Sequence, residues 1–555
     1  MAAAAQSIGK TPASSTRNAP VNPKAPVNPK APPDLASTIT PTLRLIITIT
    51  VMAATLMEVL DTSIVNVALP DMMGNLGATL DEIGWVSTGY IISNVIVLPL
   101  TGWLSDLFGR KRYLAYSVIL FTLASLGCGL SRSLWPLVFW RVVQGMGGAA
   151  FLSTSQATLM EIYPPHRRGF AQALFGIGVV MAPTLGPTVG GIITDHYSWP
   201  WIFFVNIPIG IVAAILCFTF VPDSPTAGAK RRADFVGIGL LAIGLGSLQT
   251  ILERGERDDW FQAPYIVALA VVSVVGMAAF IRWQLHPKNV HPAVNLRVLT
   301  NRNLAAGTLM GFALGFALYG GVFVLPQFLQ TVQHHTASQT GLLLMPGGIA
   351  TACMMPIVGQ LSNRLDKRWL IAAGASVFIV SMFFFSTRLT LDMPDEAMVM
   401  PLILRGAGMG LQFVPISLLA LGTLQPRNIA EGAGLYNLFR QLGGSFGIAI
   451  LATLVDRRSH YHMARLSENL SLYNPATQER LAAIQNGLAL RGFTPSVADP
   501  MSRQILSNSV HSQALVMTYA DIFRVMGYVG VVALLLLALF QRTKNAPAAA
   551  AAAAH

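Results

Sequence analysis

The feature that most constrains this chain is a series of fourteen long apolar stretches. Each is close to the roughly 20 residues that an α-helix needs to cross the hydrocarbon core of a bilayer. Only 11% of the residues are charged, 53% are hydrophobic and the mean hydropathy is +0.55, whereas a soluble domain carries about 25% charged residues. The sequence therefore predicts an all-α integral membrane protein. Its fourteen transmembrane helices are expected at 43–67, 82–103, 113–130, 135–158, 170–194, 200–221, 235–252, 262–284, 303–331, 338–361, 369–387, 397–422, 432–455 and 516–541.

The basic residues indicate how the chain is oriented. An even number of spans puts both termini on one side, which we take as the cytoplasmic or inner side. Every lysine and most arginines then fall in inner segments, and the short outer loops hold only Arg132, Arg254, Arg257 and Arg388. An excess of Lys and Arg in cytoplasmic segments is the usual orientation signal, and a chance distribution is the alternative. This placement explains the net charge of +12 without a nucleic-acid ligand.

Three segments lie outside the apolar stretches. Residues 1–42 are rich in Pro and Ala and are expected to form a disordered cytoplasmic tail, and 542–555 form a second tail. Residues 457–515 form one long polar outer loop with helix-like stretches. Asp499 followed by Pro500 reads as a helix start that runs into the last span. This loop is either a solvated insertion or a docking surface for an extracytoplasmic partner.

Two carboxylates stand deep inside the first apolar stretch, Glu58 and Asp61 in EVLDTSIVNVALP. An ionised carboxylate at the centre of a membrane helix costs about 2.5–3.5 kcal/mol. A spacing of three residues puts both on nearly the same helix face, where repulsion and desolvation favour binding of a proton. Arg141 is expected deep in the fourth span of the same half, and we predict that it acts on Asp61 and helps to expel that proton inward.

Each of these residues has a second interpretation. Asp61 and Arg141 would also suit a structural ion pair that locks the first and fourth spans. Glu58 would also suit a cavity position that contacts cationic drugs. Arg405, Arg440 and, nearer a span end, Arg524 are further basic residues inside spans.

The chain repeats itself. GWLSDLFGRKR at 102–112 is echoed by GQLSNRLDKRW at 359–369, and FWRVVQGMGG at 139–148 by LILRGAGMGL at 402–411. Two-fold repeats are typical of secondary transporters, with the binding site between the halves at the membrane midplane. We therefore divide the chain into a six-helix bundle at 43–222, two inserted helices at 223–302, and a second six-helix bundle at 303–541.

These motifs resemble a known family. GWLSDLFGRKR and RVVQGMGG are similar to signatures of the major facilitator superfamily, and APTLGPTVGG at 182–191 is similar to its antiporter motif, with Ala182 where a glycine is usual. LDTSIVNVALP and WPWIFFVNIPIG resemble the fourteen-span drug:proton antiporter family, DHA2, and the long outer loop resembles EmrB-like inner-membrane pumps of Gram-negative bacteria.

The resemblance implies proton-driven, rocker-switch export of hydrophobic or cationic drugs. It also implies an EmrA-like periplasmic adaptor, a TolC-like outer-membrane channel and no cofactor, since the proton gradient supplies the energy. The inner-loop motif is expected to act as a gate that forms ionic contacts across the inner gap, or else as a turn with basic topology signals. Its residues are Gly102, Asp106, Gly109, Arg110 and Arg112. The antiporter motif, through Gly186, Pro187, Gly190 and Gly191, is expected to permit close helix approach, with or without motion.

The remaining polar residues are weaker signals. Polar side chains predicted within spans are candidates for the substrate cavity or for helix packing: Asn66, Asn94, Gln144, Gln327, Gln412, Tyr436 and Asn437. Cys128, Cys217 and Cys353 are expected to be small buried hydrophobes. His334 and His335 are expected in a wetted outer loop, with metal binding as the alternative, and we predict no metal site. No enzyme motif is present. The rival functions are a stand-alone exporter and a receptor or scaffold that has lost transport.

Overall fold

The computed structural model describes residues 38–223, 233–468, 470–471 and 473–541. Most of the two predicted tails and residues 224–232 lie outside the described residues. Within them the chain folds into α-helices joined by short 3-10 turns. The helices of the first half are α1 Pro41–Leu76, α2 Leu80–Ile83, α3 Trp85–Val97, α4 Thr101–Phe108, α5 Arg110–Gly129, α6 Leu134–Ile162, α7 Arg168–His196, α8 Trp201–Phe204 and α9 Asn206–Phe220.

The inserted helices are α10 Phe235–Arg254 and α11 Pro264–Leu285. The second half consists of α12 Arg302–Thr331, α13 Ala337–Leu361, α14 Lys367–Arg388, α15 Asp395–Leu421, α16 Ile429–Ser467, α17 Pro475–Leu490 and α18 Pro495–Leu536. Local sequence explains their ends. The Thr40 hydroxyl accepts from the Leu43 N–H at the start of α1, and Gly77, with a φ of 62°, ends it.

Twelve helices in the described ranges are long and apolar enough to cross a membrane. A thirteenth is α7, which bends by 47° between Pro183 and Leu185 because Pro183 and Pro187 interrupt its hydrogen bonding. The remaining predicted span corresponds to α6. At 29 residues it is long enough, but buried polar residues such as Arg141 and Gln144 lower its hydropathy. The count of fourteen spans therefore stays a prediction.

The two halves form bundles that meet along several pairs of helices. In the first half α1 packs on α7 and α9, and α6 packs on α3 and α5; in the second, α12 packs on α16, and α14 packs on α15 and α18. Between the halves, α7 packs along α13 and α6 packs on α16. Of the inserted helices, α10 contacts α3 and α16, and α11 packs on α10. Further contacts between the halves are made by α7 with α15 and by α4 with α16, so the interface is built from α4, α6 and α7 of the first half and α13, α15 and α16 of the second.

Asp234 joins the two inserted helices at their inner end. Its carboxylate accepts hydrogen bonds from the Gly237 N–H at 2.9 Å, Trp283 Nε1 at 2.8 Å and Asn289 Nδ2 at 2.9 Å. Burial raises the pKa of this carboxyl group, but the hydrogen bonds outweigh burial and hold the pKa below its usual value.

The long outer segment is more helical than a loop. α16 continues to Ser467, beyond the predicted span end, and α17 forms a separate helix at 475–490. The last helix runs directly into the final span, but it begins at Pro495, so the predicted start at Asp499–Pro500 was wrong by one turn. A proline at the first helical position explains the start. Cys353 also differs from expectation, since it is exposed whereas Cys128 and Cys217 are buried.

The inner ends of the two halves are in contact at glycines of the repeated motif. A Cβ added at Gly102 would lie 2.6 Å from Cγ of Glu431, at the start of α16, and one added at Gly359 would lie 2.6 Å from the Gly169 carbonyl oxygen. Gly102 and Gly359 occupy corresponding positions of the repeat. Asn363 adds a hydrogen bond to the His166 carbonyl across the same gap at 2.8 Å. The inner side is therefore closed at two pseudo-symmetric points.

Gly169→Ala should force this inner junction apart, because its Cβ would collide with the backbone of Gly359. Gly191→Ala is the matched control on the same helix, since a Cβ there meets nothing within 4 Å. Spin labels at the exposed positions Thr42 and Leu365 report the gap by electron paramagnetic resonance. We expect a longer distance in Gly169→Ala and no change in Gly191→Ala. Equal distances in both variants would show that the junction does not depend on glycine.

Candidate functional site

Both carboxylates of α1 are buried near the middle of this 36-residue helix. Glu58 is 3% exposed and Asp61 is 2% exposed. α1 is in contact with α6, α7 and α9, so the packing of the first half carries these acids into its interior. Because an isolated charge is costly there, the donors around each carboxylate determine what it can do.

Asp61 is surrounded by donors from its own half. Arg141 Nη1 lies 2.5 Å from Oδ2, and the Gln144 side-chain amide donates to Oδ1 at 2.9 Å. Asn206, at the start of α9, donates to Oδ1 at 3.2 Å. The predicted relationship between Asp61 and Arg141 therefore takes the form of a buried, charge-assisted hydrogen bond, which joins α1 to α6.

Arg141 is itself held in place on several sides. Its Nε donates to the Val86 carbonyl at 3.0 Å, and Nη1 also donates to Gln144 at 2.7 Å. The guanidinium lies over the Tyr90 ring, 4.2 Å from the centroid, and Phe203 is 5.8 Å away. Cation–π contacts of this kind stabilise a desolvated guanidinium. The ion pair is thus fixed by α1, α3, α6 and α9 together.

Glu58 has a different environment, one turn towards the inner side. It accepts a hydrogen bond from Asn94 at 3.0 Å and one from the Leu152 N–H at 3.2 Å. Both donors are uncharged. Among the described residues Glu58 forms no salt bridge, whereas Asp61 does. The two carboxylates therefore face separate sets of donors, and only Asp61 has its charge directly compensated.

The structure sorts the predicted cavity residues into different roles. Asn94 and Gln144 bind the carboxylates, and Asn66 is exposed and accepts from Ser87 at 2.9 Å. Gln412 donates to the Gly408 carbonyl of its own helix, and Tyr436 is fully buried against Gly311. Gln327 is partly exposed. Of the predicted set, Asn437 forms a hydrogen bond between the halves.

Asn437 belongs to a polar chain that the sequence did not reveal. It donates to Gln156 of α6 at 2.8 Å, and Gln156 donates to Gln172 of α7 at 3.0 Å. All three side chains are 0% exposed. Asn206 was also missed as a partner of Asp61, although it lies in the quoted motif WPWIFFVNIPIG. Polar residues in apolar spans were the available signal, but their pairing depends on the tertiary packing.

The inner-loop motif makes a different contact from the predicted one. Arg110 pairs with Glu161 of its own half, and Arg112 is exposed. The expectation that Asp106, Arg110 and Arg112 reach across the gap was therefore wrong for Arg110. Its partner Glu161 lies at the inner end of α6, where the chain returns to the same surface. The motif crosses the gap through Gly102 instead, and Gly109, with a φ of 82°, makes the turn between α4 and α5.

The antiporter motif brings α7 close to α1. A Cβ at Gly186 would clash with the Ser63 side chain, and one at Gly190 would lie 3.2 Å from the Ile64 carbonyl oxygen. Ser63 also donates to the Pro183 carbonyl, which proline at 187 leaves without its helical N–H partner, at 3.0 Å. Close approach is thus present at Gly186 and Gly190, but Gly191 faces open space.

The two histidines of the outer loop lie beside an open pocket of about 630 Å³. His335 Nε2 is 3.6 Å from Asp395, and His334 is exposed. The described part of the chain contains no group of three or more His, Cys, Asp or Glu side chains arranged to hold a metal ion.

Comparison with protein families matches residues 51–448 to the family described as Major Facilitator Superfamily. The chain is 37% identical over 479 residues to "Multidrug export protein EmrB" of Escherichia coli (strain K12), covering 86% of this chain and 91% of that protein. It is 34% identical to "Fatty acid resistance protein FarB" of Neisseria gonorrhoeae, covering 86% and 92%.

Solved structures share the fold at low sequence identity. The structure of the proton:xylose symporter XylE aligns with a TM-score of 0.55 at 15% identity, covering 89% of this chain and 95% of that one. The human organic anion transporter MFSD10 aligns with a TM-score of 0.54 at 13% identity, covering 89% and 100%. At this identity the likeness concerns the fold alone.

Arg141→Met should destabilise the protein by about 3–5 kcal/mol, because it leaves the buried Asp61 carboxylate without its cation. Asp61→Asn/Arg141→Met removes both charges and should recover much of that loss. Thermal unfolding of the purified variants measures both effects, with Arg282→Met at an exposed arginine as the control. Additive losses from the two substitutions would show that the pair is not coupled.

Proposed function

The chain belongs to the Major Facilitator Superfamily and groups with its EmrB-like multidrug exporters, and from this premise we propose that it exports drugs in exchange for protons. Its relatives are named for multidrug export and for resistance to fatty acids, so we place hydrophobic drugs among its substrates. It is a multi-pass membrane protein and a transporter rather than an enzyme. The observation that carries proton coupling is the pair of carboxylates buried in the middle of α1.

Asp61 and Arg141 form the first element of this mechanism. In the present state Asp61 accepts three side-chain hydrogen bonds, one of them from the guanidinium, and these favour the ionised form. Protonation therefore requires that the contact with Arg141 weaken. When the contact re-forms, the guanidinium stabilises the carboxylate and the proton leaves. A movement of α6 relative to α1 would thus link the protonation of Asp61 to conformation.

Glu58 forms the second element. Its two donors are neutral, so its charge is less well compensated than that of Asp61 and a bound proton relieves the cost of burial. Glu58 lies close to the contact surface between the halves. Its donor Leu152 lies one helical turn before Gln156, and Gln156 bonds to Asn437 of the second half. A substrate between the halves would therefore affect Glu58 before Asp61.

The proton gradient supplies the energy and no cofactor is needed. Each elementary charge that moves inward contributes about 2.3 kcal/mol per 100 mV of membrane potential, in addition to the pH gradient. The glycine contacts at Gly102 and Gly359 bring the inner ends of the two halves together, and we take this conformation as the one that is closed towards the cytoplasm. Rocking of the halves about their midplane would open this side and close the other.

We further propose that the protein lies in the inner membrane with both termini in the cytoplasm. There it would act with an EmrA-like periplasmic adaptor and a TolC-like outer-membrane channel. The support is the outer helical segment formed by the end of α16, by α17 and by the start of α18. It presents exposed apolar side chains at Tyr473, Leu490 and Val497, which is typical of an interaction surface.

Asp61→Asn should abolish proton-coupled export while the protein remains inserted in the membrane. Asparagine keeps the size of the side chain but carries no titratable proton. Proton flux and export of ethidium, measured together in vesicles, test this directly. Asp71→Asn changes an exposed carboxylate of the same helix and should export normally. Full export by Asp61→Asn against an imposed gradient would remove Asp61 from the mechanism.

Replacing residues 475–490, the helix α17, by a short flexible linker should separate pumping from assembly. We expect normal drug–proton exchange in proteoliposomes, because α17 packs mainly on the outer part of α18. In cells we expect loss of drug resistance and loss of adaptor in a pull-down. Resistance equal to that of the wild type would instead favour the stand-alone exporter.

A further inference from the structure

Arg440 is a buried arginine of the second half that has no part in the proton-coupling steps proposed for Asp61 and Glu58. It lies in α16, its side chain is 0% exposed, and it is among the largest fully buried side chains of the described chain. A Cβ at Gly315 of α12 would clash with the Arg440 carbonyl, so the two helices are packed tightly at this level. The backbone of Arg440 is therefore held firmly, and its side chain extends from a fixed point.

The guanidinium of Arg440 is incompletely satisfied. Its Nη2 donates to Asn437 at 3.3 Å, whereas Nε and Nη1 have no hydrogen-bond partner. Among the described residues it forms no salt bridge with any acidic side chain. Its partner Asn437 bonds across the interface to Gln156, which places Arg440 beside the contact between the halves. An uncompensated buried charge is expensive, so a counter-charge is expected at another stage of the cycle.

The counter-charge available on the opposite half is Glu58. Both groups are tied to the same stretch of α6, since Glu58 accepts from the Leu152 N–H and Arg440 is joined through Asn437 to Gln156, one helical turn further on. Glu58 in turn has only neutral donors. Asp61 and Arg141 already neutralise each other. Arg405 of α15 is only half-buried and donates to the Gly321 carbonyl of α12. Glu58 and Arg440 are both buried, form no salt bridge among the described residues and lie on opposite sides of the interface.

We propose that Arg440 is the counter-ion of Glu58 across the two halves and ties the protonation of Glu58 to the approach of α16 towards α1. This inference rests on the proposed function for its role in transport. When the halves bring the two groups together, the guanidinium stabilises the carboxylate and a proton is released. When the halves separate them, each buried charge loses its partner, and Glu58 regains a neutral state by binding a proton. Arg440 acts as a positioning residue, since it holds no proton that is transferred.

Few other ionisable groups surround Glu58. Asp61 is on its own helix, at one turn's distance, and is paired with Arg141. Tyr90 of α3 and Tyr113 of α5 are the further titratable groups that interact electrostatically with Glu58. Arg440, joined through Asn437 to Gln156 of α6, is the buried cation that the described part of the opposite half brings to this region.

The test is an infrared pH titration of the protonated carboxyl band, recorded on purified protein in lipid without substrate. The component that disappears in Glu58→Gln belongs to Glu58. In Arg440→Gln we expect its midpoint to move upward by about 1 pH unit, because removing a nearby cation leaves the carboxylate less stable. Arg440→Lys keeps the charge and should restore a midpoint near that of the wild type. Arg405→Gln removes a half-buried arginine elsewhere in the same half and should not move it.

An unchanged midpoint in Arg440→Gln, or equal shifts in Arg440→Gln and Arg405→Gln, would overturn the proposal. If Arg440→Gln does not fold, Glu58→Gln/Arg440→Gln provides the second measurement. A neutral pair should fold where a single unpaired charge does not, and failure of both variants alike would also overturn the proposal. The titration needs neither drug nor gradient. Its outcome therefore stays distinct from that of the transport assay, which tests proton-coupled export itself.

Discussion

A charge buried in the middle of a membrane helix needs a partner or a proton, and the arrangement of the first half follows from that need. Asp61 brings together Arg141 of α6, Asn206 of α9 and, through Arg141, the backbone of α3 at Val86. Four helices thus meet at one ion pair. Apolar packing alone gives little drive for helix association in lipid. The polar groups therefore specify which helices are neighbours.

The contact between the inner ends of the two halves also depends on a few positions in the sequence. Gly102 and Gly359 come from the two copies of the repeat, and each lets the opposite half approach to backbone distance. A larger side chain at either position would collide with the opposite half and separate the two halves. Arg110 of the motif binds Glu161 of its own half. The close approach at these two points therefore depends on the absence of a side chain at Gly102 and Gly359.

The sequence predicted correctly those features that depend on residues close together along the chain. Long apolar stretches predicted helices such as α12 and α14 closely. An arginine and an aspartate inside spans of the same half predicted the contact of Arg141 with Asp61. The sequence did not predict hydrogen bonds and ion pairs between residues that only the packing of distant helices brings together. Nothing near Arg110 in the sequence indicates Glu161, 51 residues away, and nothing near Gln156 indicates Asn437. The helix-like stretches predicted in the long outer segment are confirmed by α17, whereas the continuation of α16 to Ser467 was not predicted because residues 457–467 are polar.

The two carboxylates of α1 differ in how well their negative charge is compensated. Asp61 accepts from a guanidinium and two amides and sits wholly within one half, so its loss of charge would disturb four packed helices. Glu58 accepts from two neutral donors beside the moving interface. In the proposed mechanism a change of protonation at Glu58 therefore disturbs fewer contacts than one at Asp61, which requires α6 to move relative to α1. The structural and the proton-carrying interpretations of Asp61 therefore do not compete. The ion pair with Arg141 sets the geometry around Glu58, and in the proposed mechanism a weakening of that pair lets Asp61 take up a proton as well.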